Sequence, residues 1–385
     1  MAGLKEKTIV YVNFTPYENA GHILDFLTGK FNRVIRFTFN FHRLSPKQEP
    51  STLTVSRDRT VLYRTRLFQT PTSPRLAFLL LPLRSLVIFA QLVFHLTRLR
   101  KRFGPYHIYF TVNAFTAFCG IILKRIGMVG QTVFWVWDYY PPVHPNALVS
   151  FMRYLYWQFD LPASLHSDRV VFLNRRLVEY RKSIGLLPAK GSYPVIPIGT
   201  RPVLKPSRRI SGNNLVFFGV LKRSQGLDLV FDAAVELTAA VPGIRLSIIG
   251  SGPDEAYFRK RAQKTSLPCD FHGYVPDERR VDRLLAAASI GIAPYAYEEG
   301  NVSYFSDPSK IKRYLSLGLP VVTTDLFSFS EDIAKSGAGV VIRYRRQDLV
   351  DAVVRIRSGY RKYSDNALRL SKVYEYRKLY DTFFR

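Results

Sequence analysis

The sequence contains little that could stabilise a small secreted domain or hold a metal ion. Its only two cysteines, Cys119 and Cys269, lie far apart in a chain of 385 residues, so a disulfide framework and a zinc-ligand spacing are both excluded. Carboxylates paired at metal-ligand spacing are also lacking. The first residues, MAGLKEKTIVYVNF, do not have the architecture of a signal peptide. These absences predict a metal-independent protein in a reducing, cytoplasmic compartment.

Acidic residues are scarce relative to basic ones. The chain has 56 Lys and Arg against 29 Asp and Glu, a net charge of +27, of which residues 1–199 carry +17 and residues 200–385 carry +10. Such a field favours phosphates, nucleic acid or an anionic membrane surface as partners. Because the sequence has no helix-turn-helix, zinc or aromatic RNA-binding signature, we expect no nucleic-acid partner.

One long apolar window is present. Residues 76–97, LAFLLLPLRSLVIFAQLVFHLT, have the length of a membrane span, but a proline, an arginine, a glutamine and a histidine interrupt them. The basic run RLRKR, residues 98–102, follows directly. Three interpretations remain open: a helix in the membrane interface with a basic collar, a core helix of the first domain, and a true span. The first predicts a membrane-associating segment near residues 76–102, attached peripherally to the inner face of the cell membrane.

Strand and helix patterns alternate along the chain, which predicts parallel sheets with helices on both faces. The first domain covers residues 1–199, with a long loop or a hairpin over residues 44–74 and a last strand, YPVIPIGT. The stretch RPVLKPSRR marks the boundary to a second doubly wound domain over residues 200–368. Residues 369–385 are typical of a basic, aromatic helix that packs back on the first domain. Two such α/β domains would face a cleft in which ligands bind.

Several strands of the second domain end in glycine. They are Gly219 in FFGVLKRSQG, Gly250 and Gly252 in IIGSGPDE, and Gly273 in HGYVPDE. Glycine lets a ligand approach the backbone, and the cations Lys222 and Arg223 before a helix favour a phosphate. A glycine after a strand is also ordinary turn chemistry, so each position taken alone indicates little.

The ordered set is more specific. The run FFG…QGLDLVFDA…LSIIGSGP…FHGYVP…LLAAASIGIAPY…SKIKRYLSLGLPVVTTD resembles the nucleotide-sugar domain of GT-B glycosyltransferases, most of all the retaining group called family 4. FTVNAFTAFCGIILKRIG and VFWVWDYYPP resemble, more loosely, segments of its bacterial, membrane-associated members. The resemblance implies the GT-B fold, two Rossmann-like domains facing a cleft. It also implies a hexosyltransferase-type enzyme that moves a sugar from a nucleotide-diphosphate donor to a lipid-linked or polysaccharide acceptor hydroxyl, in biosynthesis of the cell envelope.

The resemblance also implies a set of donor ligands. Lys310 would neutralise the diphosphate, Ser309 could hydrogen-bond to a phosphate oxygen, and Lys222 or Arg223 would lie opposite. Two fixed cations can compensate the leaving diphosphate without a metal ion. For Lys310 the competing interpretation is a solvated lysine at a helix terminus.

Glycines and backbone complete the implied donor site. Gly21, after the first strand, and Gly219 would lie beside the same diphosphate. The nucleotide would contact the turns at Gly250 and Gly252 and the backbone of Gly273, Tyr274 and Val275. The base would be recognised by backbone groups at these positions, so the side chains there do not indicate which base binds.

In the donor domain the chain departs from the family at four positions. The two glutamates that many members carry around the last helix of the run fall at Phe305 and Arg313, and the usual arginine and lysine fall at Val220 and Gln225. The contacts to the donor sugar therefore stay open. Glu298, Glu299 or Asp307 could supply a carboxylate, although acids in loops are usually solvated.

The acceptor side offers weaker candidates. Asp138, in WDYYPP, could hold an acceptor hydroxyl or simply cap a turn, and the aromatic residues around it could stack on a sugar or be packed. His22 could lie near the acceptor or be exposed at a helix start. Asn113 and Phe115 stand where the family has a histidine. Two further functions remain open: a non-catalytic GT-B module that acts as a scaffold or sensor, and a nucleotide-sugar epimerase.

Overall fold

A computed structural model describes most of the chain. The described residues are 3–15, 17–40, 50–71, 80–137, 139–141, 144–202, 213–297 and 302–384. The chain divides into two compact units. Unit 1 comprises Met1–Pro197 and Tyr380–Arg385, and unit 2 comprises Ile198–Leu379.

The core of unit 1 is built on one seven-stranded sheet. Its strands are β1 (Thr8–Thr15), β2 (Arg33–Asn40), β3 (Thr52–Arg57), β4 (Thr60–Arg66), β5 (Tyr106–Thr111), β6 (Val129–Val136) and β7 (Arg169–Phe172), in the order β4-β3-β2-β1-β5-β6-β7. Five strands are parallel, and the hairpin β3–β4 is antiparallel on the β2 edge. For residues 44–74 the sequence left a long loop or a hairpin open, and the described part, residues 50–71, contains the hairpin. The order reverses between β1 and β5, which is where α/β sheets bind ligands.

In the described residues of unit 1, five α-helices accompany this sheet. They are α1 (Ile23–Lys30), α2 (Leu81–Phe103), α3 (Ala114–Arg125), α4 (Ala147–His166) and α5 (Arg175–Ser183). The inner face of α2, including Ile88, Leu92 and Leu96, is buried in the same core as β1 and β2. On its inner face, the described part of the apolar window therefore packs as a core helix. Its outer face exposes Leu83, Leu86 and Phe94. None of the helices in the described part of the chain combines the length and the apolar character needed to cross a bilayer.

Unit 2 contains a six-stranded, entirely parallel sheet. Its strands are β8 (Asn214–Phe218), β9 (Arg245–Ile249), β10 (Cys269–Gly273), β11 (Ile290–Ala293), β12 (Val321–Thr324) and β13 (Gly339–Ile342), in the order β10-β9-β8-β11-β12-β13. The expected doubly wound rhythm is thus present. The strand order reverses between β8 and β11, so the carboxyl ends of these two strands mark the place for a ligand.

Nine helices accompany this second sheet in the described residues. They are α6 (Leu227–Asp232), α7 (Ala234–Ala240), α8 (Glu255–Ala262), α9 (Glu278–Ala286), α10 (Ser309–Ser316), α11 (Phe329–Ser336), α12 (Arg346–Ser358), α13 (Tyr360–Val373) and α14 (Tyr376–Tyr380). The sequence predicts one helix over residues 369–385, whereas the structure has the end of α13, the short α14 and a 3₁₀ turn. Only the residues from Tyr380 onward group with unit 1, where Phe383 packs on Trp135.

The predicted last strand of the first domain, YPVIPIGT, is not a strand. It forms two isolated bridges, between Phe172 and Val195 and between Thr200 and Glu375. Proline cannot donate to a ladder, and two prolines in this stretch limit its pairing to single bridges.

Candidate functional site

The loops that follow β8 and β9 pack directly on one another. A Cβ atom on Gly250 would lie 1.9 Å from the carbonyl oxygen of Gly219, and one on Gly252 would lie 2.4 Å from that of Leu221. These two glycines are therefore required by the packing of neighbouring loops, whatever they contact besides. The backbone N–H of Gly250 also donates to the carbonyl oxygen of Gly273 at 2.8 Å, which ties in the end of β10.

Lys310 lies at the end of β8. A Cβ atom on Gly219 would be 3.3 Å from the Nζ atom of Lys310. This Nζ donates to Oε1 of Gln225 at 2.6 Å and lies 4.5 Å and 4.4 Å from the ring centres of Phe217 and Tyr295. The side chain is 9% exposed, so the interpretation of Lys310 as a solvated lysine does not hold.

Burial changes the acid–base behaviour of Lys310. It lowers the pKa of the amine from its usual 10.5 to about 7, and no carboxylate among the described residues opposes the shift. The faces of two aromatic rings and one neutral amide are weak partners for an ammonium group. An anion bound beside Gly219 would favour the charged form and raise the pKa again. The site is therefore suited to a phosphate.

The other predicted phosphate ligands are arranged differently. Ser309 is exposed at the first residue of α10, and Lys222 is exposed in the loop after β8. Arg223 forms an ion pair with Asp228, with Nε and Oδ2 3.4 Å apart, and its guanidinium lies 5.0 Å from the ring centre of Tyr257. The structure thus brings Lys310 and Gly219 together, whereas Arg223 takes part in a separate surface pair.

Arg313, at the position of a family glutamate, is itself neutralised by acids. Its Nη2 lies 2.8 Å from both Oε2 of Glu278 and Oδ1 of Asp282 on α9. Its guanidinium lies 5.3 Å from the ring centre of Phe218, the last residue of β8. Two carboxylates are therefore present near this strand end, held by an arginine from another helix. Sequence reasoning missed them because the pairs join residues 31 and 35 positions apart.

Asp307, a candidate carboxylate, has a structural role. Its Oδ2 accepts hydrogen bonds from Nζ of Lys312 at 2.5 Å and from the backbone N–H of Ile198 at 2.6 Å. Burial lowers the pKa of Lys312, and the charge of Asp307 acts against that shift. Both charges are satisfied within this pair, so Asp307 is not free to act on a ligand.

The three catalytic candidates lie outside the described residues. Asp138, Glu298 and Glu299 therefore keep their predicted roles as predictions. The aromatic residues beside Asp138 pack edge-on against other rings: Trp137 on Trp135, Tyr139 on Tyr180 and Tyr140 on Tyr156. These contacts fit the second of the two interpretations made from the sequence, in which the aromatic residues around Asp138 are packed. Within the described ranges no group of three His, Cys, Asp or Glu side chains could hold a metal ion.

The carboxyl edge of the sheet in unit 1 presents turns and caps. Gly21 follows β1 with a φ of 61°, and its carbonyl oxygen accepts a hydrogen bond from the hydroxyl of Tyr380 at 2.8 Å. Nδ1 of His22 lies 3.2 Å from Oδ2 of Asp25. Asn113 caps α3, since its side-chain oxygen accepts from the N–H groups of the second and third residues after it. Capping of this helix is therefore a structural reason for an asparagine at position 113.

The end of β10 is more open. Gly273 has a φ of 66°, and a Cβ atom there would have no neighbour within 4 Å. Tyr274 is 54% exposed, whereas Val275 packs against the core of unit 2. The space beside the Cα atom of Gly273 is therefore open, which would let a ligand approach the chain there.

Comparison with known proteins identifies part of the chain. Residues 212–358 match the family model "Glycosyl transferases group 1". A GDP-mannose-dependent alpha-(1-6)-phosphatidylinositol dimannoside mannosyltransferase from Mycobacterium tuberculosis is 34% identical over 125 residues, 32% of this chain and 30% of the relative. The chain thus matches less than a third of the length of that protein.

Solved structures extend the likeness to the whole fold. Sucrose-phosphate synthase from Thermosynechococcus elongatus superposes with a TM-score of 0.67 and 15% identity, covering 98% of this chain and 99% of that one. WaaG, a glycosyltransferase involved in lipopolysaccharide biosynthesis, gives 0.64 and 17%, covering 97% and 98%. HepE from Anabaena, solved with UDP, gives 0.61 and 13%, covering 98% and 97%. At such identities the likeness shows the fold.

Proposed function

We propose that this chain, which has the GT-B fold and carries a group 1 glycosyltransferase domain over residues 212–358, transfers a sugar from a nucleotide-diphosphate donor. The predicted fold and the recognition of a GT-B glycosyltransferase are confirmed, and the narrower family 4 stays a prediction. The observation that carries the proposal is the buried amine of Lys310 beside Gly219, at the switch point of the sheet in unit 2.

The chemistry follows from the charge of the leaving group. The acceptor oxygen attacks the anomeric carbon, the bond from that carbon to the phosphate oxygen breaks, and the acceptor proton passes to the departing diphosphate. Lys310 stabilises the charge that develops on the diphosphate, with Ser309 and the exposed Lys222 as further ligands. Attack on the face that the diphosphate leaves retains the anomeric configuration, which is the stereochemistry we propose. We propose no requirement for a metal ion.

Measurements of nucleotide binding can identify the base of the donor. The mannosyltransferase relative is described as GDP-mannose-dependent, and HepE is solved with UDP. A ligand that binds only the native state raises the melting temperature in proportion to its saturation. A panel of nucleoside diphosphates and their sugars should therefore contain one base that stabilises the protein. If no member stabilises it, the proposal of a donor site is wrong.

A non-catalytic module is the second candidate, and one observation favours it. Phe305 and Arg313 occupy the positions of the two family glutamates, and Arg313 is already engaged by Glu278 and Asp282. This alternative predicts binding of a nucleotide without transfer or hydrolysis of its sugar. An epimerase would instead convert one nucleotide sugar into another without any acceptor. Product analysis by mass spectrometry and NMR after incubation with the bound donor separates the three.

We further propose that the acceptor is lipid-linked or a glycan of the cell envelope, and that unit 1 lies on an anionic membrane surface. The outer face of α2 carries exposed Leu83, Leu86 and Phe94, which make an apolar stripe of three turns. The last two turns of the same helix contain Arg98, Arg100, Lys101 and Arg102. Such a helix suits the interface of the cytoplasmic leaflet.

Polar substitution of this stripe should release the protein from vesicles. Leu83→Ser/Leu86→Ser/Phe94→Ser should lower binding to phosphatidylglycerol-containing vesicles by about tenfold or more, because each exposed side chain loses its burial in the bilayer. The matched control, Val235→Ser/Val373→Ser, changes exposed valines of unit 2 and should bind as the native protein does. Co-sedimentation measures both. Equal binding of the triple variant and the native chain would contradict membrane attachment through α2.

A further inference from the structure

We propose that a groove in unit 1 binds the hydrocarbon chain of an anionic membrane lipid. The groove lies between α2, α3 and α4 and has a volume of about 310 Å³. Its floor is formed by Phe115, Phe118 and Ile122 of α3, and its walls by Leu86 and Phe89 of α2 and Leu155 of α4. The proposal deepens the membrane attachment proposed above and does not depend on the donor.

The lining selects for hydrocarbon. Apart from the hydroxyl of Ser85 and the thiol of Cys119, every side chain that lines the groove is apolar. The ring of Phe159 closes one side, with its centre 5.1 Å from that of Phe115. A peptide in this groove would bring backbone N–H and C=O groups that need partners, whereas an acyl or prenyl chain needs none. The lining therefore favours a lipid tail over a protein segment.

The surface around the groove extends the same character. Along the outer face of α4, Leu148, Phe151 and Tyr154 are each more than half exposed. On the other side of the groove, α2 exposes Leu83 and Leu86. Two neighbouring helices thus present unpartnered apolar stripes on either side of one apolar groove. Such a continuous exposed patch is typical of a surface that meets a membrane or a partner.

The charge of the helices around the groove distinguishes a membrane from a protein partner. The sequence has no acidic residue between Asp58 and Asp138, a stretch that contains α2 and α3 entirely. On α4 the one acid, Asp160, is fully buried in an ion pair with Arg181. The three helices around the groove therefore expose no acid, whereas α2 ends in the exposed cations Arg98, Arg100, Lys101 and Arg102. This net positive surface complements anionic headgroups and disfavours a second copy of the chain. A lipid with an anionic headgroup is the occupant that fits both the apolar lining and the charge of these helices.

A photoreactive lipid tests this inference on the full chain. The protein is bound to phosphatidylcholine vesicles containing phosphatidylglycerol, part of which carries a diazirine near the end of one acyl chain. After irradiation, labelled residues are mapped by mass spectrometry. We expect label on the floor residues Phe115, Phe118 and Ile122 as well as on the outer faces of α2 and α4.

The pattern of label separates the possible results. Label confined to outer residues such as Leu83 and Phe151 would overturn the groove as a lipid site and leave the membrane attachment intact. No label on any helix would overturn the attachment and the groove together. Neither result bears on the donor site, which the nucleotide panel tests by itself.

A variant that fills the groove sharpens the test. Leu155→Trp places a larger side chain in the wall of the groove and excludes the acyl chain sterically, so label on the floor should be lost. Binding to vesicles should persist, because the exposed residues Leu83, Leu86 and Phe94 of α2 are unchanged. The control, Leu165→Trp, places the same side chain at an exposed position of α4 outside the groove and should label as the native chain does. Floor label at the native level in a folded Leu155→Trp would overturn the proposal, and if that variant does not fold, the map of the native chain decides.

Discussion

Lys310→Met should lower the affinity for the nucleotide-diphosphate sugar by roughly ten- to a hundredfold, because hydrogen bonds to a charged group are worth about 1.5–3 kcal/mol. Transfer should fall further, by about 10²-fold or more, since the same charge stabilises the leaving diphosphate. Methionine keeps the apolar stem between Phe217 and Tyr295 and removes a buried amine, so the unliganded variant should stay folded. Titration calorimetry measures the affinity, and product formation measures the transfer.

The control and the pH dependence make this result specific. Lys335→Met removes an exposed lysine of unit 2, whose only ion pair in the described residues is with Glu331, and should leave donor affinity unchanged. Burial lowers the pKa of Lys310 to about 7 in the free protein, and a bound diphosphate raises it. Affinity is therefore full below pH 7 and declines as the pH rises from 7 toward the pKa of the complex. Lys310→Met should lose this decline; a native profile that is flat above pH 7 would contradict the role of Lys310.

Arg181→Met should lower the free energy of unfolding of unit 1 by about 3–5 kcal/mol, because it leaves a buried carboxylate without its partner. Nη1 of Arg181 donates to Oδ2 of Asp160 at 2.7 Å and Nη2 donates to Oδ1 at 3.1 Å, and both side chains are almost entirely buried. Tyr156 and Ser164 complete the network with one hydrogen bond each. Replacing both charges, in Asp160→Leu/Arg181→Met, should cost less than the single change, since no unpaired charge remains.

Tryptophan fluorescence reports this unfolding without interference from unit 2. All three tryptophans, Trp135, Trp137 and Trp157, belong to unit 1. The control, Glu179→Gln, removes an exposed partner of Arg175 on the same helix and should change the urea transition by less than about 1 kcal/mol. If Arg181→Met unfolds at the same urea concentration as Glu179→Gln, the buried pair contributes nothing and its assignment is wrong.

The local patterns that predicted the sheet of unit 2 also indicated two residues that the structure brings together, Gly219 and Lys310. A β-strand followed by glycine, at Gly219, and the turn Pro-Ser-Lys before a helix, at Lys310, are signals within a few residues. The parallel order of the strands then brings both to one edge. The burial of Lys310 and its bond to Gln225 depend on residues 85 positions apart, so no local pattern could indicate them.

The features that the sequence analysis did not predict also depend on residues that lie far apart in the chain. Arg313 is neutralised by Glu278 and Asp282 only because α9 packs beside α10. Asp307 resembles a solvated loop acid in sequence, yet the backbone of Ile198 and the side chain of Lys312 enclose it. The exposure of Leu148, Phe151 and Tyr154 likewise depends on how α4 packs against α3, which no local pattern indicates.

The central claim is that unit 2 recognises a diphosphate through Lys310, and one titration tests it most directly. The native protein and Lys310→Met are titrated at pH 7.0 in excess EDTA with the diphosphate and the monophosphate of the base found in the panel. The account predicts that the native protein prefers the diphosphate by about tenfold or more, through a charge-assisted contact that Lys310→Met lacks. Equal affinities of the native protein for the two nucleotides would contradict it, and a preference seen only after a divalent cation is added would overturn the metal-free part.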